Sequence, residues 1–328
     1  MKKKIIATLL VGAVAVSSVV GLSACGGKSV SLPKGVQVDK EGWEKAFSYE
    51  NMNKLDNYTL ESSGSSNASI KGKEVDEDVT YEIDLSAKSS SYALLLYNEK
   101  DGYAYSEAET SSSSKGTMKD SKLNITEKES YKSSGSSKNY YEYDTGLETY
   151  WRASYSKSST SGTNSEEGKS SRNTEEYWNA STSNYLPNNY SNLSYLMGSK
   201  YYDKKDIKNA EGGYLPNLYE KFTYGDGVYT ATLYKYFDAE EVDIPVAYTV
   251  KVCIDSNGYV VGYSEKVNES GTYNDIEDGV GTDCTYNIKY DITFAVTNIG
   301  NTNPTTKSNK NITEAIKKAK DRVANLEK

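Results

Sequence analysis

"CTYNIKYDITFAV", residues Cys284 to Val296, puts Tyr286, Ile288, Tyr290, Ile292, Phe294 and Val296 on one side of an extended chain. Thr285, Asn287, Lys289, Asp291 and Thr293 fall on the other. Side chains of a strand alternate between faces, so this sustained pattern demands a long strand with one covered face. Its length fits a large curved antiparallel sheet or half-barrel. "DVTYEIDLSA" alternates in the same way through Val79, Tyr81, Ile83 and Leu85. "SYALLLY" and "GYAYSEAE" are joined through Asn98-Glu99-Lys100-Asp101-Gly102, a hairpin signal. Further strands are expected from Tyr58, over 122–131, 139–144 and 147–156, and again over 221–224, 228–237, 246–255 and 259–267. The serine-rich pieces 110–116, 133–138 and 156–171 read as exposed loops between strands.

Helical spacing is confined to a few places. Trp43, Ala46, Phe47 and Leu55 predict one amphipathic helix over about 40 to 55. "NTEEYWNAS" has acidic residues in a first turn after a cap at Asn173 or Thr174, which predicts a short helix; a second piece is expected over 192–198. The chain closes on "NITEAIKKAKDRVANLEK". Here Asn311 and Glu314 form a capping-box-like pair, and Ile312, Ala315, Ile316, Ala319, Val323 and Leu326 make a stripe. The expected fold is therefore mainly β within the α+β class. It has an N-terminal helix, short helical insertions and a C-terminal helix. Residues 1–24 form a removable leader, 25–39 a flexible tether, 40–300 one β-rich domain with a helical insertion near 173–213, and 301–328 a linker and the last helix.

Composition narrows the function. The net charge of −8 becomes more negative when the leader takes Lys2, Lys3 and Lys4 with it. An acidic surface repels phosphate backbones, which excludes nucleic acid as a partner, and it gives no help at an anionic lipid surface. The chain has no histidine. It can build no Ser-His-Asp triad, Cys-His pair or imidazole metal site. Carboxylate pairs could still hydrolyse glycosides, but no spacing selects a pair, so the chain is expected not to be an enzyme. Tyr 31 against Phe 4 suits a sheet with one wet face, or an aromatic surface that stacks on sugars or peptides.

The first 25 residues have a basic start, an apolar stretch from Ile5 to Val20, and small residues before Cys25. Leu22-Ser23-Ala24-Cys25 resembles the lipobox of bacterial lipoproteins at all four positions. That resemblance implies cleavage before Cys25 and a thioether-linked diacylglycerol on it. Two acyl chains suffice for stable anchoring, at about 0.8 kcal/mol per buried CH₂. The implied location is extracytoplasmic, on the outer face of the cytoplasmic membrane of a Gram-positive cell. The covalent lipid is the only cofactor expected.

The order of elements over residues 40–297 behind a lipobox resembles the LolA/LppX type of lipid-carrier lipoprotein. That family implies a curved half-barrel over helices, an apolar cavity, and a carrier of hydrophobic or amphipathic ligands. Leu94, Leu96, Ile288, Ile292 and Phe294 are the candidate cavity lining, with Trp151 and Trp178 as aromatic candidates. The other reading of these tryptophans is ordinary core. The alternative function is a cell-surface or envelope-assembly protein contacting protein or glycan. Cys253 and Cys284 are a candidate disulfide, although alternation puts them on opposite faces and a bond would need a bulge or a strand end. The acidic groups at 76–78 and 274–283 lack a calcium-loop spacing, and no metal is expected.

Overall fold

The computed structural model describes residues 29–76, 79–164, 168–174, 176–187, 218–219, 222–239, 242–277 and 280–326. Two short helices, α1 (Lys40–Ala46) and α2 (Tyr49–Met52), come first. One meander follows: β1 (Asn57–Asp76), β2 (Val79–Asn98), β3 (Tyr103–Asp120), β4 (Ile125–Asp144), β5 (Thr149–Asn164), β6 (Gly168–Asn173) and β7 (Tyr177–Ser183). A second adds β8 (Leu218–Tyr219), β9 (Thr223–Gly225), β10 (Val228–Ala239), β11 (Val242–Ile254), β12 (Val260–Glu277) and β13 (Val280–Thr297). A 3₁₀ turn, Pro304–Lys307, leads into α3 (Lys310–Leu326). All thirteen strands form one curved antiparallel sheet in the order β6-β5-β4-β3-β2-β1-β13-β12-β11-β10-β8, with β7 beside β5 and β9 beside β10. The strand around Tyr290 pairs with β1 through eighteen residues, so the two meanders spread from a central seam. Among the described residues the sheet is open.

Register assigns every strand residue to one of two faces. The front face carries Leu60, Leu95, Ala104, Tyr141 and Val296, with Val250 and Val252 farther along. Here α1 and α2 dock, and Trp43 packs against Phe47, Phe222 and Tyr229 at ring separations near 5 Å. The break between the helices falls at Phe47-Ser48, because the Ser48 hydroxyl accepts from Asn51 N at 3.2 Å and starts α2 afresh. The expected single helix over 40–55 is thus two.

The back face is covered at one end by α3 and at the centre by the chain before α1. Tyr105, Tyr140, Trp151, Ala153 and Ala180 make a second core with Ile312, Ala315, Ile316 and Ala319 of α3. Asn309, not Asn311, caps that helix, accepting from Asn311 N at 3.0 Å and Ile312 N at 3.2 Å. Nearer the centre, Val30 N donates to the Ser63 hydroxyl at 3.0 Å, and Leu32 and Pro33 lie against Gly262. Gly35 N then donates to Gly227 O at 2.8 Å and Val36 N to Ile254 O at 2.7 Å. The segment expected to be free tether as far as 39 is therefore a strap bound to the sheet from Val30 onward. It explains why Cys253, Ser264, Thr293 and Ala295, all on the back face, are buried.

Two other expectations change. The serine runs are not loops: 110–116 and 133–138 lie inside β3 and β4, and β5 continues through 156–164. Their residues meet one another across the sheet, with Ser66–Ser89 at 2.7 Å, Ser90–Ser111 at 3.0 Å, Ser112–Ser133 at 3.1 Å and Ser130–Thr163 at 2.6 Å. Each backbone is satisfied by the ladder, and small hydroxyl side chains pair without needing a covered face. The segment "YWNASTS" is strand β7, paired with β5 from Tyr177↔Ser156 to Ser183↔Tyr150, where a helix was expected. Pairing to an existing edge outweighs a weak local helical signal. The helix expected over 192–198, the leader and Cys25 lie outside the described residues.

Candidate functional site

The positions expected to line one cavity do not face one another. Leu94 and Leu96 are in register with Glu61 and Thr59, which places them on the back face. Ile288, Ile292 and Phe294 share the front face with Leu60. A sheet separates the two sets, and Ile288, Ile292 and Phe294 are buried in the front core. Trp151 is also core: it lies under α3, and its Nε1 donates to Asp144 Oδ2 at 2.9 Å. Lys320 of α3 reaches the same carboxylate at 3.2 Å and sits 5.7 Å above the Trp151 ring. The indole hydrogen bond, and then Lys320, hold the Asp144 carboxyl below its ordinary range.

Trp178 is different. Standing on β7, it is half-buried and faces Tyr155 of β5 with ring centroids 5.7 Å apart. The two rings form one wall of a cleft of about 470 Å³, which Tyr105, Glu109, Ser136, Lys138 and the start of α3 at Asn309–Asn311 complete. The Tyr155 hydroxyl donates to Glu176 Oε2 at 3.0 Å, and Glu176 also pairs with Lys157. Tyr105 donates to Glu107 Oε2 at 2.8 Å, while Lys307 lies 5.5 Å over its ring. Burial, reinforced by Glu107, pushes the Tyr105 hydroxyl far above its usual range and keeps it a donor. The cleft therefore offers two half-buried ring surfaces, two cations (Lys138 and Lys310) and one carboxylate (Glu109). It can stack a flat ring or sugar face and pair an ionic group.

Below the cleft, on the same face, a shallow depression of about 620 Å³ crosses the strands, with Ser90, Ser111, Ser113 and Ser134 on its floor and Lys88 and Lys132 at its sides. No carboxylate lines it. The register Lys88↔Ser113↔Lys132 sets the two lysines two strands apart, roughly 10 Å. The serine runs carried no site signal in the sequence, because their meeting depends on register.

Cys253 and Cys284 are free and buried. Cys253 is level with Gly262 and Ala295 on the back face, and Cys284 with Gly72 on the front. Eleven residues of β13 separate those levels, about 37 Å. The bulge at Cys253/Ile254 does not bring them together, so the candidate disulfide is not formed. Burial pushes the Cys253 thiol up to about 11. Among the described residues no cluster of His, Cys, Asp or Glu could hold a metal, and no helix is long and apolar enough to cross a membrane.

No family model and no curated protein matches the chain. Among solved structures it is similar to the transport unit of the autotransporter AIDA-I from Escherichia coli, at 8% identity and TM-score 0.24, covering 80% of this chain and 100% of that one. A TodX monoaromatic hydrocarbon channel mutant aligns at 8% identity and TM-score 0.22, covering 84% and 97%. The translocator domain of the autotransporter NalP from Neisseria meningitidis aligns at 7% and 0.13, covering 75% and 90%. Scores this low carry no argument about architecture or activity.

Proposed function

We propose that this chain is an extracytoplasmic lipoprotein, held through a lipidated Cys25, that performs no chemistry and binds an amphipathic ligand in the open cleft of Tyr105, Tyr155 and Trp178. The observation that carries this reading is the pairing of half-buried rings with Lys138 and Glu109 in one concave site. Apolar side chains with ionic groups beside them are what a ligand with a flat ring or sugar face and a charged end requires. A fully apolar lipid tail would need an enclosed greasy cavity; the described leucine and isoleucine candidates are divided between two faces.

The test is native mass spectrometry and tryptophan quenching of the purified chain with envelope lipid extract and with soluble wall glycan fragments. A stoichiometric adduct is expected, and Trp178→Ala should weaken it about tenfold, the equivalent of roughly 1.4 kcal/mol. An adduct unchanged by Trp178→Ala, or none from either extract, overturns the assignment. A second reading, contact with a glycan over the sheet surface, is favoured by the hydroxyl pairs crossing β1 to β5. It predicts glycan binding that survives Trp178→Ala.

A further inference from the structure

We propose that the back face of the sheet is turned toward an anionic lipid surface, the membrane that holds Cys25. The inference rests on the anchored reading above and adds an orientation and a lipid chemistry to it.

The first argument is reach. The strap meets the sheet at Val30, whose amide donates to Ser63 on the back face. Five residues separate Cys25 from Val30, and an extended chain spans at most roughly 18 Å over that length. From Ser63 to the near end of β1 at Asn57 is roughly 20 Å along the strand. The anchor cannot pass round the sheet end and bring the front face to the bilayer. It comes off the back face.

The second argument is charge. In β1 to β7 and β11 to β13 every lysine stands on the back face, among them Lys71, Lys88, Lys115, Lys132, Lys157 and Lys289. The front face of the same strands carries Glu74, Glu127, Glu129, Glu265 and Glu269, with Arg152 and Arg172 as its cations. Acidic groups also occur on the back, Glu61, Glu107, Glu109, Glu142, Asp144 and Asp283 among them, and Asp84, Glu82 and Asp291 are matched there by Lys71, Lys119 and Lys266. Among the described residues of these strands the lysines nevertheless outnumber the acids on this side, whereas acids outnumber the two arginines on the front. Lys88 and Lys132 flank a depression with no carboxylate, and α3 above the same face exposes Lys317, Lys318 and Arg322 against Asp321. The net negative charge of the whole chain thus conceals a cationic side. Attraction to anionic headgroups acts within a Debye length, about 8 Å at physiological salt, so it operates only when that side is held close. The short anchor holds it close.

The experiment uses the lipidated protein in phosphatidylcholine vesicles with and without phosphatidylglycerol, containing an acceptor lipid. A fluorophore is placed at Ser113→Cys or at Ser112→Cys, neighbours on β3 that point to the back and front faces. Cys253 and Cys284 are buried, so the introduced thiol takes the label. Energy transfer from position 113 should exceed that from 112, more strongly with phosphatidylglycerol, and Lys88→Glu with Lys132→Glu or high salt should remove the phosphatidylglycerol increment. Equal or reversed transfer overturns the orientation. An increment that survives the lysine substitutions, or capture of the chain by soluble acidic glycan in preference to vesicles, overturns the lipid assignment. Failure of the anchored reading is seen separately: a chain without lipid on Cys25 does not float with phosphatidylcholine vesicles at high salt.

Discussion

Ile312→Ala isolates the contribution of the C-terminal helix. Ile312 is buried against the core that contains Trp151 and Ala153, and α3 is the element that covers that core. Truncating a buried isoleucine costs about 2–5 kcal/mol, the transfer of the lost carbons plus the cavity left behind. The rest of α3's buried stripe is one isoleucine and two alanines, with Val323 partly buried, so little remains to hold the helix down. The loss should fall on local undocking of α3 and leave the sheet's own pairing intact. Native-state hydrogen exchange reads this directly. Amides of Ala315 to Val323 should lose protection by roughly 30- to 4000-fold, at about 1.4 kcal/mol per factor of ten, while those of Leu60, Leu95 and Phe294 keep theirs. If the sheet amides lose protection equally, α3 and the sheet are one cooperative unit and the reasoning fails. Unchanged protection of α3 would refute the packing itself.

The strap, the thiols and the helix latch give three more tests. A Cβ on Gly35 would lie 2.4 Å from Ile254 O, so Gly35→Ala should release the strap and expose residues 29–39 to limited proteolysis, with α1 still docked through Trp43. Cys253 and Cys284 should stay unreactive toward a thiol reagent in the native protein and both react after unfolding, with no mass loss of a disulfide. Asp144 has a lowered folded pKa, so its stabilisation is complete above the ordinary carboxylate value of about 4 and is lost as pH falls through the lower folded value. Trp151 fluorescence should report α3 loosening over that acid range, and Asp144→Asn should show the loosened signal already at neutral pH.

What could be read in the sequence was what periodicity encodes. Tyr286 to Val296 announced a long strand with a covered face, and that face is the front core; the stripe of Ile312, Ala315 and Ile316 announced a docked helix, and it docks. The serine runs were misread because a strand with hydroxyls on both faces has no hydrophobic alternation to detect. Only pairing reveals it, and pairing is non-local. The cavity list failed for a related reason: Leu94 and Ile288 are both apolar strand residues, but their relative face is fixed by the β1–β2 and β1–β13 registers, which one sequence does not display. Trp178 is legible in the sequence only as one aromatic candidate among others. Its partner Tyr155 is brought to it by the unexpected β5–β7 pairing.

A strand that is polar on both faces specifies its register weakly, because a slip exposes nothing new. In this sheet the specification is supplied at the two ends of each polar band. At one end Tyr58 and Tyr97 pack with ring centroids 5.1 Å apart, and the hairpin after β2 is pinned by Asn98 Nδ2 donating to Asp101 Oδ2 at 2.7 Å and by Gly102 at φ 74°. At the other, Ile70, Ile83 and Cys284 form a small front-face cluster, and Asp120 Oδ1 accepts from Lys122 N and Leu123 N, each at 2.8 Å, to close the turn after β3. Between these clamps the serines need only follow. Most of their side chains are half-buried against one another without an apolar cover, so that the back face between the strap and α3 can approach a hydrated anionic surface without burying apolar groups in it. Valines on the same strands would raise strand propensity and present an extended apolar patch that invites self-association. The serine bands thus keep the stretches of sheet between its covering helices and strap polar on both faces, while the aromatic ends and closed turns hold its register.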